Sequence, residues 1–208
     1  MIFKKVFFTL VIILLNLFFI YSYAHCQKVS ITNIEIGDID DPNSAYQKLA
    51  EVTINNSLII KEIKFITIKN NILLEFPEYI SKNSKVYPQI KLLDKNTINI
   101  FRTSILNKEI SKNIYNNLSY KLVKFSKYSG KSKIKVFVSL IFNDSIQIEC
   151  KIIDGKNGPW VAWPSRKLEK SEKWIKQVII TNKNLKKSIE TDLINRYNKM
   201  IEYEKIES

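Results

Sequence analysis

Laid over itself with a shift of 87 residues, the sequence repeats a strand–turn–strand pattern. Glu62–Pro77 falls on Glu149–Pro164 with six identical residues in sixteen. Upstream, Asn56 falls on Asn143, and Ile59, Ile63 and Phe65 fall on Ile146, Cys150 and Ile152. Apolar residues that alternate with period two share one face of a strand. A plan that recurs at this spacing means one supersecondary unit used twice. The chain is therefore expected to fold as two similar halves in the α+β class.

Each half follows one order. The first strand is expected at Val29–Ile36 and about Leu118–Val123, the second at about Ala50–Ile54 and Ile134–Phe142. The repeated segment supplies the third strand, a hairpin turn and a fourth strand. In the second half Asp154, Gly155 and Gly158 mark the turn with residues that tolerate positive φ. In the first half Lys69, Asn70 and Asn71 do the same work. Pro77 and Pro164 end the fourth strands, because proline cannot donate to a ladder. A charged loop and a helix follow. Leu185, Ile189, Leu193, Tyr197 and Ile201 form the helical stripe of the second half, with Asn182 or Asn184 as cap. Ile98, Phe101, Ile105, Leu106 and Ile110 form a weaker stripe in the first. No linker rich in Gly, Pro or Ser separates the halves, so they are expected to pack together. The divisions are a leader at 1–24, one unit at 28–115 and another at 116–208.

The leader has Lys4 and Lys5 ahead of a nearly unbroken apolar run from Val6 to Ala24. This pattern reads as a secretory signal cleaved after Ala24, an uncleaved membrane anchor, or a lipoprotein leader modified at Cys26. The protein is expected to be exported or membrane-anchored. It stays in the cytoplasm only if an uncleaved anchor faces inward.

Net charge is +13 and unevenly spread. Residues 28–117 carry 12 basic and 10 acidic side chains, and residues 118–208 carry 19 and 10. A basic second half suits nucleic acid or an anionic envelope surface as partner. With two Cys and one His, no familiar metal-site spacing can be assembled and histidine-based triads lack their parts. Cys150 sits on the buried face of its strand and reads as packing. No cofactor motif is present, and the chain is not expected to be an enzyme.

Lys151-Ile-Ile-Asp-Gly-Lys-Asn-Gly-Pro-Trp-Val-Ala-Trp-Pro-Ser-Arg-Lys167 resembles the signature of the stage V sporulation protein G (SpoVG) family, and Ile194-Asn195-Arg196-Tyr197 matches its helix end. Trp163 replaces the usual Met. The first copy keeps the hydrophobic skeleton and Pro77 but lacks Asp-Gly and Pro-Ser-Lys. The resemblance implies tandem SpoVG-like units, each with four antiparallel strands and a C-terminal helix. It also implies a non-enzymatic regulator of septation and sporulation that binds DNA or RNA. Family members form dimers, so the chain is expected to be an intrachain pseudo-dimer or a homodimer. The candidate anion-binding residues are Arg166, Lys167, Lys170, Lys173 and Lys176 in the loop and Lys183, Lys186 and Lys187 at the helix. Trp160 and Trp174 are candidate stacking residues.

Overall fold

The computed structural model describes residues 28–39, 44–69, 71–81, 83–168 and 172–207. The leader at 1–24, His25, Cys26, Asn70 and Lys170 lie outside the described residues. Among those described, no helix is long and apolar enough to cross a membrane.

The first half runs β1 (Ile31–Asp38), β2 (Lys48–Ile54), β3 (Leu58–Ile68), β4 (Asn71–Glu75), β5 (Glu78–Ile80), β6 (Val86–Pro88), β7 (Ile90–Leu92) and α1 (Lys95–Asn107). The second runs β8 (Tyr120–Lys127), β9 (Ile134–Phe142), β10 (Ile146–Gly155), β11 (Gly158–Ala162), β12 (Ser165–Lys167), β13 (Trp174–Lys176), β14 (Val178–Ile180) and α2 (Lys183–Glu207). The order of elements is the same, and all the pairing is antiparallel.

Each sheet is completed by a strand from the other half. The first has the order β1-β2-β3-β14 with β4 on the far stretch of β3; the second has β11-β10-β9-β8 with β7 on the near stretch of β10. The exchange is reciprocal in register. Val178 and Ile180 pair with Ile60 and Leu58, while Ile90 and Leu92 pair with Ile148 and Ile146. The third strands would otherwise present open edges at these stretches, with unpaired backbone donors and acceptors. Ile60, Ile148, Leu140, Phe142 and Phe101 are fully buried in one apolar core that takes residues from both halves.

The turns that open β3 and β10 carry a buried polar lock. Asn55 and Asn143 both have positive φ, 48° and 44°, which asparagine tolerates better than most residues. The Asn55 Oδ1 accepts from the Ser30 amide at 2.8 Å, and the Asn143 Oδ1 from the Ser119 amide at 2.8 Å. Both side-chain amides donate to the same two carbonyls, those of Lys28 and Asn117. The start of the described chain and the junction between the halves are thereby tied to one point. Both asparagines are almost wholly buried, so each bond satisfies a group that water cannot reach.

These turns correct the sequence alignment by one residue. Asn55, not Asn56, stands where Asn143 stands, and buried Leu58, not half-buried Ile59, stands where Ile146 stands. The phase is restored by a bulge in β3, where Glu62 has φ 59° and the register against β2 shifts. A bulge inserts one unpaired residue and reverses the alternation beyond it. Ile63 and Phe65 therefore do correspond to Cys150 and Ile152.

The charged loops expected before each helix contain strands. β5–β6 and β12–β13 are short hairpin arms, and β7 and β14 follow them. The first-half helix stops at Asn107 rather than reaching Ile110, because Lys108 turns left-handed at φ 57°. Ser111 then binds β1 through both its amide and its hydroxyl. Asp94 caps α1 by accepting from the Thr97 amide at 2.8 Å, and Asn182 caps α2 by accepting from Leu185 at 3.1 Å. In the β10–β11 turn only Gly158 has positive φ, at 100°. Gly155 serves differently: an added Cβ would lie 3.1 Å from the Trp160 ring.

Candidate nucleic-acid interface

Pro164 ends β11, and the chain folds back into the β12–β13 arm. Three residue pairs hold the arm, with Arg166 opposite Ile175 and Lys167 opposite Trp174. The arm reaches the first half, where Arg166 Nε donates to both carboxylate oxygens of Glu62 at 2.8 Å. Gln177 Nε2 donates to the same carboxylate at 2.9 Å. Glu62 can point there because it is the bulged residue of β3. Arg166 is thus a fastener between halves and not a spare cation. Lys167 pairs with Glu172 at 2.8 Å across the arm.

The remaining candidates spread along the arm and into α2. Lys173 and Lys176 are exposed on β13 or just before it, and Lys183 and Lys187 are exposed in the first turns of α2. Lys186 is half-buried and pairs with Glu190 at 3.4 Å. Glu190 also accepts from Trp163 Nε1 at 2.8 Å, so Trp163 is a structural tryptophan that fixes α2 to the end of β11. The first turn of α2 has no acidic residue. Lysines there oppose the positive end of the helix dipole, so this arrangement costs some helix stability and raises the local potential for anions. Trp174 is 63 % exposed and Trp160 49 % exposed; both have ring surface available. Of the turn residues, Asp154 lies 4.0 Å from Lys135, an exposed and weak pair.

Cys150 is 2 % exposed and free. Burial pushes its thiol well above the usual range, with the charges of Glu149 and Glu190 adding to the effect. A thiol of that kind is neither nucleophile nor ligand. Among the described residues no group of three or more His, Cys, Asp or Glu could hold a metal ion.

Sequence reasoning missed a second basic cluster. The β8–β9 turn carries exposed Lys131 and Lys133, and the β10–β11 turn carries exposed Lys156. The Asp154 amide donates to the Lys133 carbonyl at 2.8 Å, which brings the two turns together. The close spacing of Lys131, Lys133 and Lys135 was visible, but Lys156 joins them only through the fold.

The SpoVG family model matches residues 119–199, which hold all the candidate site residues. Two Clostridium botulinum proteins described as "Putative septation protein SpoVG", from strains Alaska E43 (Type E3) and Eklund 17B (Type B), are each 34% identical over 87 residues. The aligned region is 41% of this chain and 93% or 92% of theirs. The chain belongs to the SpoVG family. No solved structure gives a significant match. The SpoVG match begins at β8 and ends within α2, so β7, which completes the second sheet, comes from outside it.

Proposed function

We propose that this chain is a SpoVG-type regulator of septation and sporulation that acts by binding nucleic acid rather than by catalysis. The observation that carries this reading is the 34% identity to septation proteins across nearly their whole length. Binding would use the exposed cations Lys173, Lys176, Lys183 and Lys187, with Arg166, Lys167 and Lys186 shaping the surface through their ion pairs. Lys170 belongs to the same stretch of sequence. The reading further takes the chain as two SpoVG-like units, 28–115 and 116–208, joined as a pseudo-dimer. Support comes from the shared element order and the reciprocal exchange of β7 and β14. An oligonucleotide mobility shift tests the binding. Lys183→Glu with Lys187→Glu should weaken binding and lower its salt dependence by about two counterions. Unchanged affinity at low salt would remove the helix from the interface.

A second reading is an envelope module that meets an anionic surface. The apolar run before Ala24 favours it, as does the clamp on the Lys28 carbonyl beside the turns at Asn55 and Asn143. A tether leaving there would keep that end of the body close to the membrane. Fractionation of the source cells decides between the two. Recovery of the chain outside the inner membrane would favour the envelope and end the regulatory reading.

A further inference from the structure

The second sheet has a face turned away from α2, and that face carries seated aromatic rings. Trp160 lies on Gly155, where a Cβ would come within 3.1 Å of the indole. Tyr128 lies on Gly130, where a Cβ would stand 2.3 Å from the ring. Each glycine is a cradle that lets one side of a ring rest on backbone. Tyr128 also packs edge-on against Phe137 at 5.4 Å, which fixes its tilt. Despite this seating, Trp160 remains 49 % exposed and Tyr128 36 % exposed. The strip continues inward. Lys151 lies opposite Phe137 in register, and its ammonium sits 4.5 Å from the Tyr79 ring of the β5–β6 arm.

The charges beside these rings are mostly basic. Lys131, Lys133 and Lys156 are exposed at the adjoining turns, and the lone acid of those turns, Asp154, lies beside Lys135. Fixed rings with one open side bind flat π-systems, and a row of lysines between them binds phosphates. Single-stranded nucleic acid presents both at successive nucleotides. A duplex hides its base faces, and a lipid headgroup offers none.

We propose that this face is a base-stacking platform for single-stranded nucleic acid, with Trp160 and Tyr128 taking bases and Lys131, Lys133 and Lys156 taking the phosphates between them. The platform rests on the nucleic-acid reading above and shares only Trp160 with its candidates; its lysines are separate from those of the arm and α2. It lies across the sheet from α2, on the side opposite the Trp163–Glu190 bond.

The test is fluorescence anisotropy with the full chain in detergent micelles, a labelled oligothymidylate and an abasic strand of equal length. Trp160→Ala with Tyr128→Ala should weaken thymidylate binding by about tenfold or more, with the salt slope unchanged. Trp160→Phe with Tyr128→Phe should keep most of the affinity. The abasic strand should bind the parent chain about as weakly as thymidylate binds the alanine pair. A second measurement stands apart from the folding of that variant. With Trp163 and Trp174 changed to Phe, the fluorescence of Trp160 should be quenched by thymidylate and not by the abasic strand. Unchanged affinity in the alanine pair, beside weakened binding in Lys183→Glu/Lys187→Glu, overturns the platform and leaves the proposed function standing. Equal binding of abasic and base-bearing strands overturns stacking in favour of a saccharide or bare-phosphate ligand. No binding of either strand at low salt overturns both readings.

Discussion

The arms β5–β6 and β12–β13 occupy equivalent places in the two halves, and each touches the other half's sheet. The second arm is basic, and its Arg166 reaches Glu62 through an ion pair. The first is apolar and aromatic: Tyr79, Ile80, Val86 and Tyr87 are all more than 40 % exposed, and Tyr79 meets Lys151 through its ring. Backbone pairing and position are kept while the chemistry of contact is changed. What must be preserved for the halves to join is the exchange of β7 and β14, since that satisfies the open edges. The surface of each arm is free to differ, and only the second lies within the residues that match SpoVG.

The largest losses are expected at the two exchanged strands, and they should be of similar size. Ile60 and Ile148 are both fully buried and face the incoming strands. Ile60→Ala and Ile148→Ala should each cost about 2–5 kcal/mol in urea unfolding, and a large difference would show that one exchange is incidental. The asparagine lock comes next. Asn55→Ala and Asn143→Ala should each cost about 1–3 kcal/mol from the buried groups left unpaired. The double variant should lose more than the sum, because either side chain alone still gives the Lys28 and Asn117 carbonyls a donor.

Smaller effects sharpen the contrast. Arg166→Ala should cost about 1 kcal/mol or less, since the ion pair is partly exposed. It should leave nucleic-acid affinity almost unchanged, because Arg166 is engaged by Glu62. The two caps should differ in their response to acid. Burial opposes ionisation of Asp94, but bonds from Thr97, Ser145 and Asn96 outweigh it and hold the carboxyl below its usual value. A lowered folded value means stability present above the unfolded value of about 4 and lost as pH falls through the folded one. Asn182, the cap of α2, does not titrate. Below about pH 4, amide exchange at the start of α1 should rise before that at the start of α2, and Asp94→Asn should flatten the difference.

Long alternating strands were legible in the sequence. Ile134–Phe142 is found as read, and so are the hairpins that Pro77 and Pro164 close. The arms were not legible, because three residues cannot display a period. Nor was the strand exchange, whose partners lie far apart in sequence and are chosen by edges that exist only after folding. The bulge at Glu62 hid itself by restoring the phase of the alignment. The candidate cations were legible as residue types, but their availability was not. Arg166 finds its carboxylate 104 residues away, and Lys186 is paired on its own helix. Trp160 was legible as a stacking candidate, whereas the glycine beneath it read only as a turn residue.

The mass of the native full chain in solution, corrected for bound detergent, tests most directly whether the two halves complete each other. One chain of 24.4 kDa is expected, since β14 and β7 already fill the stretches of β3 and β10 on which a second subunit would pair. A tight dimer whose dissociation unfolds the chain would contradict it, because those strands would then be exchanged between chains rather than within one.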